Sequence, residues 1–267
     1  MNPIRDDSRQ QGAIRIVLAG QSNMVGRGKL DRSSFNSNPD DRVWTLTADG
    51  FWEIAREPLH FGIEKGNDGK LGVGPGLSMA RGLVDSGVFG KVELIPCAQG
   101  GTSIRRWIYG GDAFESMVKR IKQSRIIGSN STEFSTPATV YVWYQGETDM
   151  HNNMSPYDYE HLLIRHLLNA IQLMGDDVFI IVVILCSDTK SKGGNSSMDV
   201  EGVDLRSYQN AQRRAARAIR NVHPGGVSVV ELPSPELMED GIHLTTNSQK
   251  RLGGLISEAI LYHHRAV

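Results

Sequence analysis

Five short apolar runs, rich in branched side chains, recur along the chain at residues 14–19, 92–96, 139–143, 178–185 and 227–231. They are mostly apolar instead of strictly alternating, the pattern of strands covered on both faces. Between them, residues 76–85, 113–126, 156–174 and 205–222 carry apolar side chains at i, i+3, i+4 spacing with a polar opposite face, which predicts helices. A last helix is expected over 246–263, capped by Thr245 or Thr246. Strands alternating with helices predict an α/β fold, doubly wound around a mainly parallel five-stranded sheet. Residues 42–57 break the rhythm. There Val43-Trp44-Thr45-Leu46 and Phe51-Trp52-Glu53-Ile54 flank Asp49-Gly50, which predicts an inserted β-hairpin. Glycine- and polar-rich stretches at 64–76 and 187–203 read as long surface loops. The length of 267 residues fits one domain over 1–267, led by a polar tail of about residues 1–12.

Composition removes several classes of function. Hydrophobic residues make up 39% and charged residues 22%, a soluble globular balance. A formal net charge of -1 gives no electrostatic footprint for nucleic acid or a membrane surface. The arginines at 213, 214, 217 and 220 recur at helical spacing and read as a solvated helix face. Cys97 and Cys186 each follow an apolar strand and read as packing thiols. The N-terminal stretch lacks the apolar centre of a signal peptide, and no run approaches a membrane span, so a cytoplasmic location is expected. Gly20 and Gly26 are one residue too far apart for a phosphate-binding Walker loop, and Arg27 follows them. His and Asp never cluster at metal-ligand spacing, so no metal is expected.

In a parallel sheet the site lies outside the carboxyl ends of the strands. The first strand delivers Gly20-Gln21-Ser22-Asn23-Met24 there, the second Gln99-Gly100-Gly101-Thr102-Ser103, and the third Gln145-Gly146-Glu147-Thr148-Asp149. After the fifth comes Glu239-Asp240-Gly241-Ile242-His243-Leu244. A serine hydroxyl needs a base to become nucleophilic, and the base needs an acid to hold its tautomer. Ser22, His243 and Asp240 fill those roles. Asp149 and Glu239 compete for the acid, but Asp-x-x-His spacing favours Asp240. A developing oxyanion needs aimed donors; the candidates are the Ser22 N–H, a backbone N–H at Gly100 or Gly101, and the Gln145 amide.

These blocks resemble the SGNH hydrolase superfamily. Gly-Gln-Ser-Asn-Met, Gly-Gly-Thr-x-Ile-x-x-Trp, Trp-Tyr-Gln-Gly-Glu-x-Asp and Asp-x-x-His-Leu are similar to its sialate O-acetylesterase-like branch, carbohydrate esterase family 6. Arg56-Glu57-Pro58-Leu59-His60 and Gly72-Val73-Gly74-Pro75-Gly76 bring it closest to the plant members. The resemblance spans residues 16–253. It implies a three-layer α/β/α, flavodoxin-like fold, a Ser-His-Asp triad, no cofactor, and an acetylesterase acting on a small acetylated substrate such as a sugar. Most of the superfamily carries Asn where this chain has Gln145.

Other residues of these blocks, Gln21, Asn23, Gly100 and Thr102, are candidates for supporting or substrate contacts, and Glu147 and Asp149 for bracing the Gln145 loop. Trp107 with Arg105 and Arg106 could form a sugar-binding rim; a core tryptophan with solvated arginines is an equal reading. His60 and His151 follow site-side segments and could bind substrate. The rival from another class is a non-catalytic carbohydrate-binding protein on the same fold. Its signature would be a lost nucleophile or base, and neither is lost.

Overall fold

A computed structural model of the chain describes residues 12–30, 39–64, 70–127, 138–186 and 204–266. The expected loop at 187–203 lies outside them, as does all but the end of the N-terminal tail. The apolar runs form β1 (Ala13–Gly20), β4 (Lys91–Pro96), β5 (Ala138–Tyr144), β6 (Phe179–Val183) and β7 (Val227–Val230). β1 pairs in parallel with both β4 and β5, β5 with β6, and β6 with β7. Their burial explains their composition: every residue of β6 is buried, and β1 is buried from Ile16 to Gly20. The periodic segments form α2 (Pro75–Asp85), α3 (Asp112–Ile127), α5 (Pro156–Met174), α6 (Leu205–Arg220) and α7 (Thr246–Ala266). α2 packs on α7 and α5 on α6. No described helix is long and apolar enough to cross a membrane.

The strand count corrects the expectation. The sheet has seven strands in the order β3-β2-β4-β1-β5-β6-β7. The hairpin is present as β2 (Val43–Leu46) and antiparallel β3 (Trp52–Ile54). It joins the main sheet, because β2 pairs in parallel with β4, Val43 opposite Val92. Val43 and Leu46 are fully buried there, so the hairpin extends the sheet at its edge. Arg120 of α3 fixes that junction by donating to the backbone carbonyls of Pro96, Leu46 and Thr47. Its burial is tolerated because each nitrogen finds an oxygen.

Strand order runs outward from β1 in both directions, so the crevice opens where β1, β4 and β5 end side by side. Two one-turn helices sit at that edge, α1 (Ser22–Val25) and α4 (Glu147–His151), with a 3-10 turn at Ile104–Arg106. Cys97 and Cys186 are free thiols, and burial pushes them up to about 11 and about 12, which leaves both inert at neutral pH.

Candidate active site

The turn that carries Ser22 begins where β1 meets β5. Gly20 has φ +129, and a Cβ there would lie 2.0 Å from the Tyr144 carbonyl oxygen, so only glycine fits. Gln21 N–H donates to Tyr144 O at 2.9 Å, and α1 then starts at Ser22. Ser22 is 6% exposed, and its backbone N–H has no hydrogen-bond partner among the described residues.

The loop after β7 brings His243 to it. His243 Nε2 lies 2.9 Å from Ser22 Oγ, and His243 Nδ1 lies 2.6 Å from Asp240 Oδ2. Asp240 Oδ1 also accepts from the backbone N–H groups of Ile242 and His243, both at 2.9 Å. A carboxylate on Nδ1 assigns the proton to that nitrogen, which leaves the Nε2 lone pair facing the serine hydroxyl. Burial alone would raise the Asp240 carboxyl. Hydrogen bonds from the His243 backbone and ring and from Ile242 outweigh it and hold Asp240 below its ordinary value. Asn23 ties this loop to the Ser22 turn: its Nδ2 donates to Glu147 Oε1 and Ile242 O, and its Oδ1 accepts from Leu244 N–H.

The second block curls beside Ser22. Gln99 N–H donates to Gly20 O at 2.9 Å, and Thr102 Oγ1–H donates to Gln99 O at 2.8 Å. Gly101 follows with φ +67, exposed, and its N–H has no partner among the described residues. Two backbone donors, at Ser22 and Gly101, are therefore free on this edge. A cleft of about 520 Å³ is lined by Ser103, Arg105, Asp149, Asn152, Asn153 and Asp158, among others, with Ser22, Gly101 and His243 outside its lining.

A family model described as carbohydrate esterase, sialic acid-specific acetylesterase, matches residues 14–262. The chain belongs to this family. It is 32% identical over 266 residues to a probable carbohydrate esterase of Arabidopsis thaliana, across 92% of this chain and 89% of the relative. A crystal structure of an Arabidopsis thaliana protein superposes with a TM-score of 0.70 at 29% identity, over 93% of this chain and 98% of that one. The crystal structure of NanS shares the fold, with a TM-score of 0.60 at 15% identity over 96% and 99% of the two chains.

In this carbohydrate esterase the third block departs from expectation. Gln145 is fully buried, and its Nε2 donates to Thr102 O at 2.8 Å and to Asp149 Oδ2. Both amide hydrogens are thus engaged, and the side chain has none left for an oxyanion. Asp149 also accepts from Ser103 Oγ–H and Ile104 N–H, so Gln145 and Asp149 knit the second block to the third. Gln21 Oε1 accepts from Gly146 and Thr148 N–H at 3.4 and 3.3 Å. Burial pushes the Glu147 and Asp149 carboxyls up.

Trp107 is also corrected as a sugar-stacking rim: it is fully buried, edge-on to Trp143, and donates Nε1–H to Thr102 Oγ1. Arg105 and Arg106 stay exposed, Arg106 paired with Asp112. His60 is buried beneath the second block, its Nε2 accepting from Ala98 N–H, so it offers nothing to a substrate. His151 is exposed at the end of α4. The sequence reading missed the ion pair of Arg27 with Glu64, because partners 37 residues apart leave no local pattern. Among the described residues no group of three or more His, Cys, Asp or Glu could hold a metal ion.

Proposed function

We propose that the protein removes acetyl or other short acyl groups from a carbohydrate through an acyl-enzyme on Ser22, all within one catalytic domain. His243 Nε2 takes the proton of Ser22 Oγ as the oxygen attacks the ester carbonyl. The tetrahedral oxyanion is stabilised by the backbone N–H groups of Ser22 and Gly101. His243 then gives its proton to the departing sugar oxygen, and the C–O bond breaks. Water attacks the acyl-enzyme with His243 again as base, releasing the acid and restoring Ser22. Asp240 holds the imidazole and stabilises its cation in both halves.

The observation carrying this reading is the continuous line from Asp240 through His243 to Ser22, at 2.6 and 2.9 Å. Family membership supports an acylated carbohydrate as substrate. The cleft supports it further. Ser103 stands two residues past Gly101, so their Cα atoms are at most about 7 Å apart, and the polar cleft begins within a sugar's reach of the oxyanion donors. The non-catalytic alternative has no residue in its favour, since nucleophile and base are both present and bonded. Acetate release from a panel of defined acetylated sugars tests the proposal. Turnover on at least one sugar should fall about 10⁴-fold or more in Ser22→Ala; equal release by both proteins would refute it.

A further inference from the structure

We infer that Glu64 is a positioning residue for the oxyanion loop, locking the Gly100 N–H so that the next N–H, at Gly101, is aimed at the reacting carbonyl. The inference rests on the acyl-enzyme reading above. Glu64 is 3% exposed, and its Oε1 accepts from Gly100 N–H at 2.7 Å. Arg27 Nη2 donates to both of its oxygens, at 2.7 and 2.8 Å. Arg27 lies five residues beyond Ser22 on the strap that leaves α1, where Gly72 N–H donates to Gly26 O. One buried carboxylate therefore joins the nucleophile turn to the oxyanion loop.

The loop needs such a lock. A Gly100-Gly101 pair has the widest backbone freedom of any dipeptide, and an oxyanion donor is effective only when pre-aimed. The peptide plane between Gln99 and Gly100 is held at both ends. Its carbonyl accepts from Thr102 Oγ1–H, and its N–H donates to Glu64. Gly101 N–H lies in the next plane, only the two torsions of Gly100 away, so pinning the first plane narrows the directions it can take. The charge of Glu64 makes that hydrogen bond short and strong, and Arg27 offsets the cost of burying the carboxylate. Crowding points the same way: a Cβ on Gly100 would lie 2.1 Å from Glu64 Oε1 and 2.5 Å from Arg27 Nη2. A side chain there would push the carboxylate away from the backbone.

Steady-state hydrolysis of p-nitrophenyl acetate tests this, with end-point fluorophosphonate labelling to count active sites and thermal melting to monitor folding. Glu64→Ala should lower kcat per labelled site by about 10- to 100-fold, with KM within about twofold of wild type. Glu64→Gln keeps an oxygen for Gly100 N–H and should recover most of that loss. Gly100→Ala, which expels the carboxylate, should lower kcat similarly, and Gly100→Ala/Glu64→Ala should be no worse than Gly100→Ala alone. If Glu64→Ala fails to fold, Gly100→Ala decides the matter, and a normal kcat per labelled site in that variant would overturn the inference. A purely structural role would lower melting temperature and labelled fraction together and leave kcat per site intact, which would overturn the inference. So would normal kcat in Glu64→Ala while Ser22→Ala is inactive, with the acyl-enzyme reading untouched. A wild-type protein without Ser22-dependent turnover would overturn both.

Discussion

In the proposed triad Asp240 would act from an exposed position: its side chain is 43% exposed, against 24% for His243. Solvent screens its charge, so its value lies in geometry more than in field strength. Three hydrogen bonds fix the carboxylate, two from backbone N–H groups and one from the ring it orients. Asp240→Asn keeps the shape but allows an amide N–H to face Nδ1, which favours the tautomer that turns a ring N–H toward Ser22. We predict a kcat loss of about 10²–10⁴-fold, with KM little changed. Glu239→Gln, one residue away, should stay near wild type. Steady-state kinetics of the pair on one acetyl ester checks this, and a near-normal Asp240→Asn enzyme would leave a Ser-His dyad.

At the scale of elements, the site is three strand ends laced together by buried polar side chains. Gln145 is the clearest case, because its two amide hydrogens go to a carbonyl of the second block and a carboxylate of α4. Gln145→Ala should cost about 1–3 kcal/mol of stability by leaving buried acceptors without donors. Its kcat should fall by less than about tenfold, since the proposed oxyanion donors are backbone groups. Urea unfolding beside kinetics separates the outcomes: unchanged stability with a 10²–10³-fold kcat loss, about 3–4 kcal/mol, would make Gln145 an oxyanion donor after all. This residue also marks where sequence reading stops. The strands of the sheet's centre were legible because burial on both faces leaves them mostly apolar, with Arg15 and Glu93 tolerated as an ion pair between β1 and β4. Asp240 and His243 were legible because three residues on one loop carry their own geometry. Gln145 was not, because its role depends on Thr102, 43 residues away, taking one of its hydrogens. The same holds for the docking of β2 on β4, which is a pairing between distant segments. For Trp107 the sequence left a core place and a sugar-binding rim open, since an aromatic ring fits both, and the structure takes the core.

Across the whole molecule, buried titratable groups set how stability follows pH. His166 accepts from Tyr141 O–H and donates to Trp107 O, which fixes it as neutral, and burial lowers it to about 4. Burial lowers His60 to about 3. Unfolded histidine binds a proton below its ordinary 6.5, so both contribute stability that is present above pH 6.5 and lost as pH falls through 4 and then 3. Glu57 acts in the opposite direction. Burial raises it to about 8, so its contribution is present below the ordinary 4.5 and lost as pH rises through 8. Urea unfolding across pH should therefore show Glu57→Gln flattening the decline between pH 6.5 and 8, and His166→Gln flattening the decline below pH 6.5. Profiles parallel to wild type would contradict those assignments. The central claim, covalent catalysis at Ser22, is met most directly by quenching the reaction with p-nitrophenyl acetate in its first turnover and mapping the acetylated peptide. The account predicts one acetyl group on Ser22, absent from Ser22→Ala; full turnover with the acetyl group on another residue, or on none, would contradict it.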